Sequence, residues 1–271
     1  MPDFGSFRGF GEKLVQGQTP TQLGLIGSFT TFDADAVAFF DRVTAAGGTL
    51  SFTEKDATNQ LVLDLKANGT WTAMKAIYPM VGASAASCKQ NLKSSSFTGS
   101  FSSGWTFAST GVTPNGINAY LDSNLNVGTQ LTNNNLHISF YSRTNNTSLG
   151  YEMGILDSKL SLIARYTNGS GYTNYNGFSP FTTPNSTGLY LGSYESGVWN
   201  GYKNNTNPIS ITKASTTFTS TNMIIGAEFQ SLSYSTKECA FSSIGDGLTP
   251  TQAGNFYTAV QAFQTTLSRQ V

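Results

Sequence analysis

From about residue 90 onward the chain is cut into short runs of alternating apolar and polar residues, each bounded by Gly, Asn, Pro or Ser. A period of two sends successive side chains to opposite faces of an extended strand. Many such strands at short spacing point to antiparallel sheets packed face to face. The clearest run is 136–143: Leu136, Ile138 and Phe140 share one face, and His137, Ser139, Tyr141 and Arg143 share the other. This pattern predicts one buried and one accessible sheet face. Leu160, Leu162 and Ala164 repeat it, and 151–156, 188–194, 209–213, 223–229 and 233–241 supply further strands.

The flanking segments have a different period. Residues 31 to 85 read as helical, with a start at Thr31 or Asp33, an apolar face of Phe39, Phe40 and Val43, and a stop at Gly47-Gly48. Thr53 with Asp56 is close to a capping box, Leu61, Val62 and Leu65 form the next stripe, and Asn68-Gly69 ends it. Trp71, Met74 and Tyr78 predict a short third helix before Pro79. Near the end, Thr249, Pro250 and Gln252 form a helix start, followed by a stripe of Phe256, Val260, Phe263 and Leu267. The expected fold class is therefore mainly β: an antiparallel β-sandwich of jelly-roll type, with a small N-terminal helical region and a C-terminal amphipathic helix. The expected divisions are an anchoring arm (1–28), a helical collar (29–88) and the sandwich with its helix (89–271). In the arm, Phe4, Phe7, Arg8 and Phe10 lie among Gly5, Gly9 and Gly11. These aromatic residues suit either anchoring on another subunit or covering this chain's own core.

Charged residues make up only 11% of the chain, less than half the roughly 25% of an average globular protein, and Asn, Ser, Thr and Gly take their place. Fifteen basic residues balance fifteen acidic ones, so no positive field exists to draw nucleic acid or an anionic membrane. Cys88 and Cys239 lie far apart without metal-ligand spacing, and the expectation is two separate buried thiols. The first residues show no apolar core of a secretory signal, and no run is long enough to span a bilayer. A surface of extracellular character without an evident export route fits a virion protein released when its host lyses.

Three stretches carry a family resemblance: WTAMKAIYPMVG at 71–82, SFYSRTNN at 139–146, and CAFSSIGDGLTPTQAGNFYTAVQAFQTTLSRQV at 239–271. Together they resemble a group of phage and prophage structural proteins of Bacteroidota viruses, over residues 30 to 271. The resemblance implies a tail-fibre or virion-surface protein whose C-terminal part is similar to concanavalin A-like lectin and glucanase domains. It carries over no catalytic residue.

The residues themselves offer little for catalysis. A retaining glucanase needs two carboxylates about 5 Å apart. Here Asp122, Glu152, Asp157, Glu195, Glu228, Glu238 and Asp246 are scattered, and Glu152 and Asp157 are an odd number of residues apart. His137 is the single histidine, no G-x-S-x-G elbow accompanies it, and it reads as a strand-surface residue. Gly169-Ser170-Gly171 reads as a turn. No enzymatic activity and no cofactor are expected, although a calcium ion held by Asp, Asn and carbonyl oxygens is compatible with lectin-like loops. The candidate ligand residues are Tyr172, Tyr175, Asn176, Trp199 and Tyr202, part of an aromatic and amide-rich region that also holds Tyr166, Phe178, Asn168 and Asn174. Flat rings beside amides match the apolar face and hydroxyl rim of a sugar, and the same residues suit ordinary loops and subunit contacts. The expected function is a virion spike or fibre, anchored by its arm to other virion proteins, homo-oligomeric with a trimer favoured over a pentamer, and contacting host surface glycans. The alternative is a capsid or decoration protein without a host ligand.

Overall fold

The computed structural model describes residues 31–156, 159–228 and 233–271. Phe4, Phe7, Arg8 and Phe10, the expected anchors, lie outside the described residues.

Two helices open the described chain. Asp33 caps α1 (Ala34–Ala45) by accepting from the Asp35 N–H, and Ser51 with Glu54 forms a full capping box on α2 (Phe52–Ala67). That box starts two residues earlier than the Thr53–Asp56 pair had indicated. The expected third helix is absent. A single 3-10 turn at Trp71–Ala73 leads into a strand, β1 (Met74–Tyr78). Here Ala76 and Tyr78 enter one apolar cluster while Ile77 enters another, a two-residue alternation that a helix cannot satisfy.

A one-turn helix, α3 (Ala85–Cys88), precedes the main body. The strands that follow are β2 (Ser100–Phe101), β3 (Trp105–Ala108), β4 (Gly111–Pro114), β5 (Leu121–Asn126), β6 (Leu136–Ser142), β7 (Met153–Gly154), β8 (Leu160–Ile163), β9 (Ser170–Tyr175) and β10 (Pro180–Thr182). A further single turn, α4 (Val127–Gln130), lies between β5 and β6. Then come β11 (Gly188–Glu195), β12 (Val198–Lys203), β13 (Thr206–Thr212), β14 (Asn222–Ile225), β15 (Cys239–Gly245) and the helix α5 (Pro250–Thr266).

They form two antiparallel sheets. One runs β13-β12-β11-β6-β15-β4-β3, with β1 also paired to β15, and the other runs β10-β9-β8-β7-β14-β5-β2. The expected fold class, an antiparallel β-sandwich with N-terminal helices and a C-terminal helix, is the one observed. Between the sheets lie Leu136, Ile138, Phe140, Tyr190 and Trp199 from the first and Leu121, Met153, Leu162, Tyr175 and Ile225 from the second.

The first sheet departs from expectation on its other face, which is not accessible. Tyr141, Leu189, Leu191 and Phe241 are covered there by Phe39, Val43, Leu61, Leu65, Phe256, Val260 and Phe263 of α1, α2 and α5. Every residue of β6 is buried as a result. The helical segment and the sandwich thus share one apolar cluster, and Phe32–Val271 forms one compact unit.

One cation fastens this layer. Arg269 is fully buried and donates through Nε to Gln264 Oε1 (2.9 Å), through Nη1 to the Met80 carbonyl (2.9 Å), and through Nη2 to the carbonyls of Pro79 (3.1 Å) and Ala240 (3.0 Å). Replacing Arg269 by Met strands the Pro79 and Met80 carbonyls in the interior, while the Ala240 carbonyl keeps the Gln264 amide (3.2 Å), and equilibrium denaturation should show a loss of about 3 kcal/mol or more. Lys66→Gln, which removes the partly exposed pairs with Asp33 and Asp35 and the ammonium's place over the Trp71 ring, should cost about 1 kcal/mol.

Candidate functional site

The central strands β6, β11 and β15 of the first sheet are covered on both faces, whereas the second sheet carries an exposed ring, Phe178, beside its outer strands. At its β8–β9–β10 edge, the turn after β8 begins with Tyr166, whose N–H donates to the Ser170 carbonyl (2.8 Å). Asn168 closes this turn by accepting from the Ser170 N–H (2.9 Å), and Gly169 supplies the positive φ of 84° that it requires. The Asn168 amide then donates to the Tyr172 hydroxyl (2.8 Å). Tyr166 and Tyr172 meet edge to face at 6.1 Å, and Tyr172 meets Phe178 at 6.0 Å, also edge to face. Phe178 is 64% exposed, and Tyr166 and Tyr172 are half-buried.

The loop carrying Phe178 is held from both ends. The Ser179 N–H donates to Asn174 Oδ1 (3.0 Å), and Asn174 in turn donates to Ser161 Oγ (2.9 Å). Lys213 Nζ donates to the carbonyls of Tyr175 (2.6 Å) and Gly177 (3.2 Å). The three rings are therefore presented in a fixed geometry, which lowers the entropic cost of binding.

The other sequence candidates separate from this group. Tyr175 is fully enclosed, stacked on Tyr194 at 4.4 Å and on Trp199 at 5.3 Å, with its hydroxyl donating to the Asn133 carbonyl and accepting from the Thr216 N–H. Trp199 is enclosed as well, its indole N–H donating to the Thr173 carbonyl at 2.9 Å. Tyr202 is buried on the helix-covered side, where burial raises its hydroxyl pKa and the hydroxyl finds no partner. These three positions are corrected as ligand contacts, since an enclosed ring has no face to give a sugar. Tyr172 remains, and Asn176 is exposed in the turn beside Phe178 with a positive φ of 47°. Strand parity explains the split within β9: Tyr172 and Tyr175 are three apart and point to opposite faces, and the turns on either side bring Tyr166 and Phe178 to the Tyr172 ring.

The catalytic candidates lie elsewhere. Glu152 is buried against Lys237 (3.3 Å), accepts from Ser235 Oγ (2.8 Å) and from the Ala164 N–H, and Lys237 also donates to Ser148 Oγ (2.7 Å). Asp157 lies outside the described residues. Among the described residues, no three His, Cys, Asp or Glu side chains are grouped to hold a metal ion, and no helix is long and apolar enough to cross a membrane. Cys88 and Cys239 are free and buried, and burial pushes the Cys88 thiol up to about 12 and the Cys239 thiol in the same direction.

His137 is not on a surface: it lies beneath α5, against the Phe256 ring at 6.0 Å. Its Nδ1 faces the Asp246 carbonyl at 2.5 Å, which can only accept, so Nδ1 carries the proton. Nε2 is then the acceptor for the Ser243 hydroxyl at 3.1 Å.

The fold and the exposed ring cluster define an antiparallel β-sandwich domain with a preformed aromatic surface. No family model matches the chain, and no curated protein matches it either. Among solved structures, it is similar to domain 4 of AbnA, a GH43 extracellular arabinanase from Geobacillus stearothermophilus, in complex with arabinotriose. The two share 14% identity with a TM-score of 0.50 over 68% of this chain and 98% of that one. A mutant Trypanosoma rangeli sialidase with trans-sialidase activity aligns at 11% identity and a TM-score of 0.46, over 76% of this chain and 39% of the sialidase, so this chain spans about two fifths of that protein. An alginate lyase from Corynebacterium sp. aligns at 14% identity and a TM-score of 0.29, over 64% of this chain and 92% of that one. The arabinanase domain shares the β-sandwich fold with this chain. The expectation of a protein without enzymatic activity is corrected on this ground: the sandwich occurs as a domain of a glycan-cleaving enzyme, and scattered carboxylates do not separate the chain from such proteins.

Burial moves the His137 pKa from 6.5 down to about 4. The unfolded chain therefore binds this proton more tightly than the folded one. Stability should be highest above pH 6.5, decline as pH falls, and level off below about pH 4, with a total loss on the order of 3 kcal/mol. Denaturant unfolding from pH 8 to 4 measures this, and His137→Gln should remove that part of the slope.

Proposed function

We propose that this chain is a glycan-contacting β-sandwich protein of a virion surface, which holds sugar rings against Tyr166, Tyr172 and Phe178. The observation that carries the reading is the preformed trio: three neighbouring rings, one of them 64% exposed, with the Asn168 amide bonded into the group. Rings in this setting remain partly wet, and a sugar face displaces water from them without any rearrangement of the loop. The virion placement is supported by the low charge content and by the resemblance of residues 71–82, 139–146 and 239–271 to phage structural proteins. A homo-oligomer would multiply weak single sites into firm attachment.

The test is retention of the purified protein on a panel of immobilised oligosaccharides that includes arabinotriose. Tyr172→Ala or Phe178→Ala should weaken the retained interaction by about 1 kcal/mol, roughly fivefold, while Tyr175→Phe leaves it unchanged. Retention that survives both alanine variants, or that is lost with Tyr175→Phe alone, contradicts the reading. The anchoring role of the first residues has its own test: removing residues 1–20 should leave thermal unfolding unchanged and abolish incorporation into particles.

A further inference from the structure

Arg165 directly precedes Tyr166, and among the described residues its guanidinium makes no hydrogen bond and no ion pair. Its Nε is shielded from solvent without a partner, and only its backbone carbonyl is used, by the Ser148 N–H at 3.2 Å. The contrast with its counterparts is sharp: Arg42 donates to the carbonyls of Asn91 and Leu92, Arg143 pairs with Glu238, and Arg269 makes four hydrogen bonds.

Lys203, at the end of β12, is the second cation of this corner. Its Nζ donates to Thr183 Oγ1 (2.7 Å), the Asn185 carbonyl (2.7 Å) and Asn185 Oδ1 (2.6 Å), all neutral acceptors, and lies 5.6 Å from the centre of the Tyr190 ring. Thr183 directly follows β10, in which Thr182 pairs with Ser170, and the Ser170 carbonyl accepts the Tyr166 N–H. This run of backbone contacts brings Lys203 to the corner that carries Arg165 and Tyr166. The Lys203 pKa is pushed down to about 8, first by desolvation and then by the charge of Arg165. Two cations thus share a half-buried corner with no carboxylate paired to either; all three Lys203 ammonium hydrogens are donated, so the Arg165 guanidinium is the group left to meet an oxyanion, and the Lys203 charge favours it there.

We propose that Arg165, supported by the charge of Lys203, forms an anion subsite beside the aromatic trio, so that the glycan taken by this chain carries an oxyanion, the carboxylate of a uronic acid or a sulfate ester. The inference rests on the trio holding sugar rings. The planar guanidinium matches either oxyanion with two parallel hydrogen bonds, and the trio takes the neighbouring ring.

Three probes test it at low salt: galactotriose, trigalacturonate and a sulfated galactose trisaccharide. One of the charged probes should bind about tenfold more tightly than galactotriose, with a preference that shrinks as salt is added, and the preferred probe identifies the oxyanion. Arg165→Gln should bring the ratio of charged to neutral affinity to about one with thermal unfolding unchanged, because the side chain has no internal partner to lose. Equal binding of charged and neutral probes, or a preference undiminished in Arg165→Gln, overturns the subsite and leaves the trio standing. Galactotriose binding unaffected by Tyr172→Ala and Phe178→Ala overturns the trio itself, and binding of none of the three probes overturns both.

Discussion

The Arg269 guanidinium is the interaction on which the architecture turns. Its four hydrogen bonds join the turn after β1, the strand β15 and the helix α5, which are separated by up to 190 residues in sequence. The turn needs such a partner, since Met80 sits at a positive φ of 50° and its carbonyl is turned into the interior. With β1 fixed to β15 in this way, α5 lies across the first sheet, and α1 and α2 complete the cover. The cation is held in the interior by carbonyl and amide oxygens, and Nε, Nη1 and Nη2 all reach acceptors there.

The consequence for function is one of exclusion. The central strands of the first sheet, sealed on one face by the partner sheet and on the other by helices, have no face to offer a ligand. The β8–β9–β10 edge of the second sheet carries the three rings and Arg165, and Lys203 reaches the same corner from β12 of the first sheet. Arg165 directly precedes Tyr166, the first ring of the trio, and the proposed subsite rests on that juxtaposition.

Much of this was legible in the sequence, and the failures have a common cause. Alternation at 136–142 and 188–195 located the central strands, and Thr249, Pro250 and Gln252 located the last helix, because each signal is local. The polar alternate residues of β6 suggested solvent, yet His137, Ser139 and Ser243 satisfy one another under α5, a partner contributed from more than a hundred residues away. Trp71, Met74 and Tyr78 suggested a helix by their spacing of three and four, and only pairing with β15 makes Met74–Tyr78 a strand. Among the candidate residues, composition drew together rings that the fold separates into exposed and enclosed ones. The odd spacing of Tyr172 and Tyr175 on β9 already separated them, whereas the meeting of Tyr166, Tyr172 and Phe178 depends on the turns that flank the strand. The enclosure of Trp199 depends on packing between sheets, which no local pattern encodes.

The most direct test of the central claim is a nuclear magnetic resonance titration of the folded protein with the best-retained oligosaccharide, with assigned aromatic signals. The ring signals of Tyr166, Tyr172 and Phe178 should shift together along one saturation curve while the Trp199 indole N–H, bonded to the Thr173 carbonyl in the interior, stays in place. A saturable shift at Trp199 or at the helix-covered sheet, with the trio unmoved, would contradict the account.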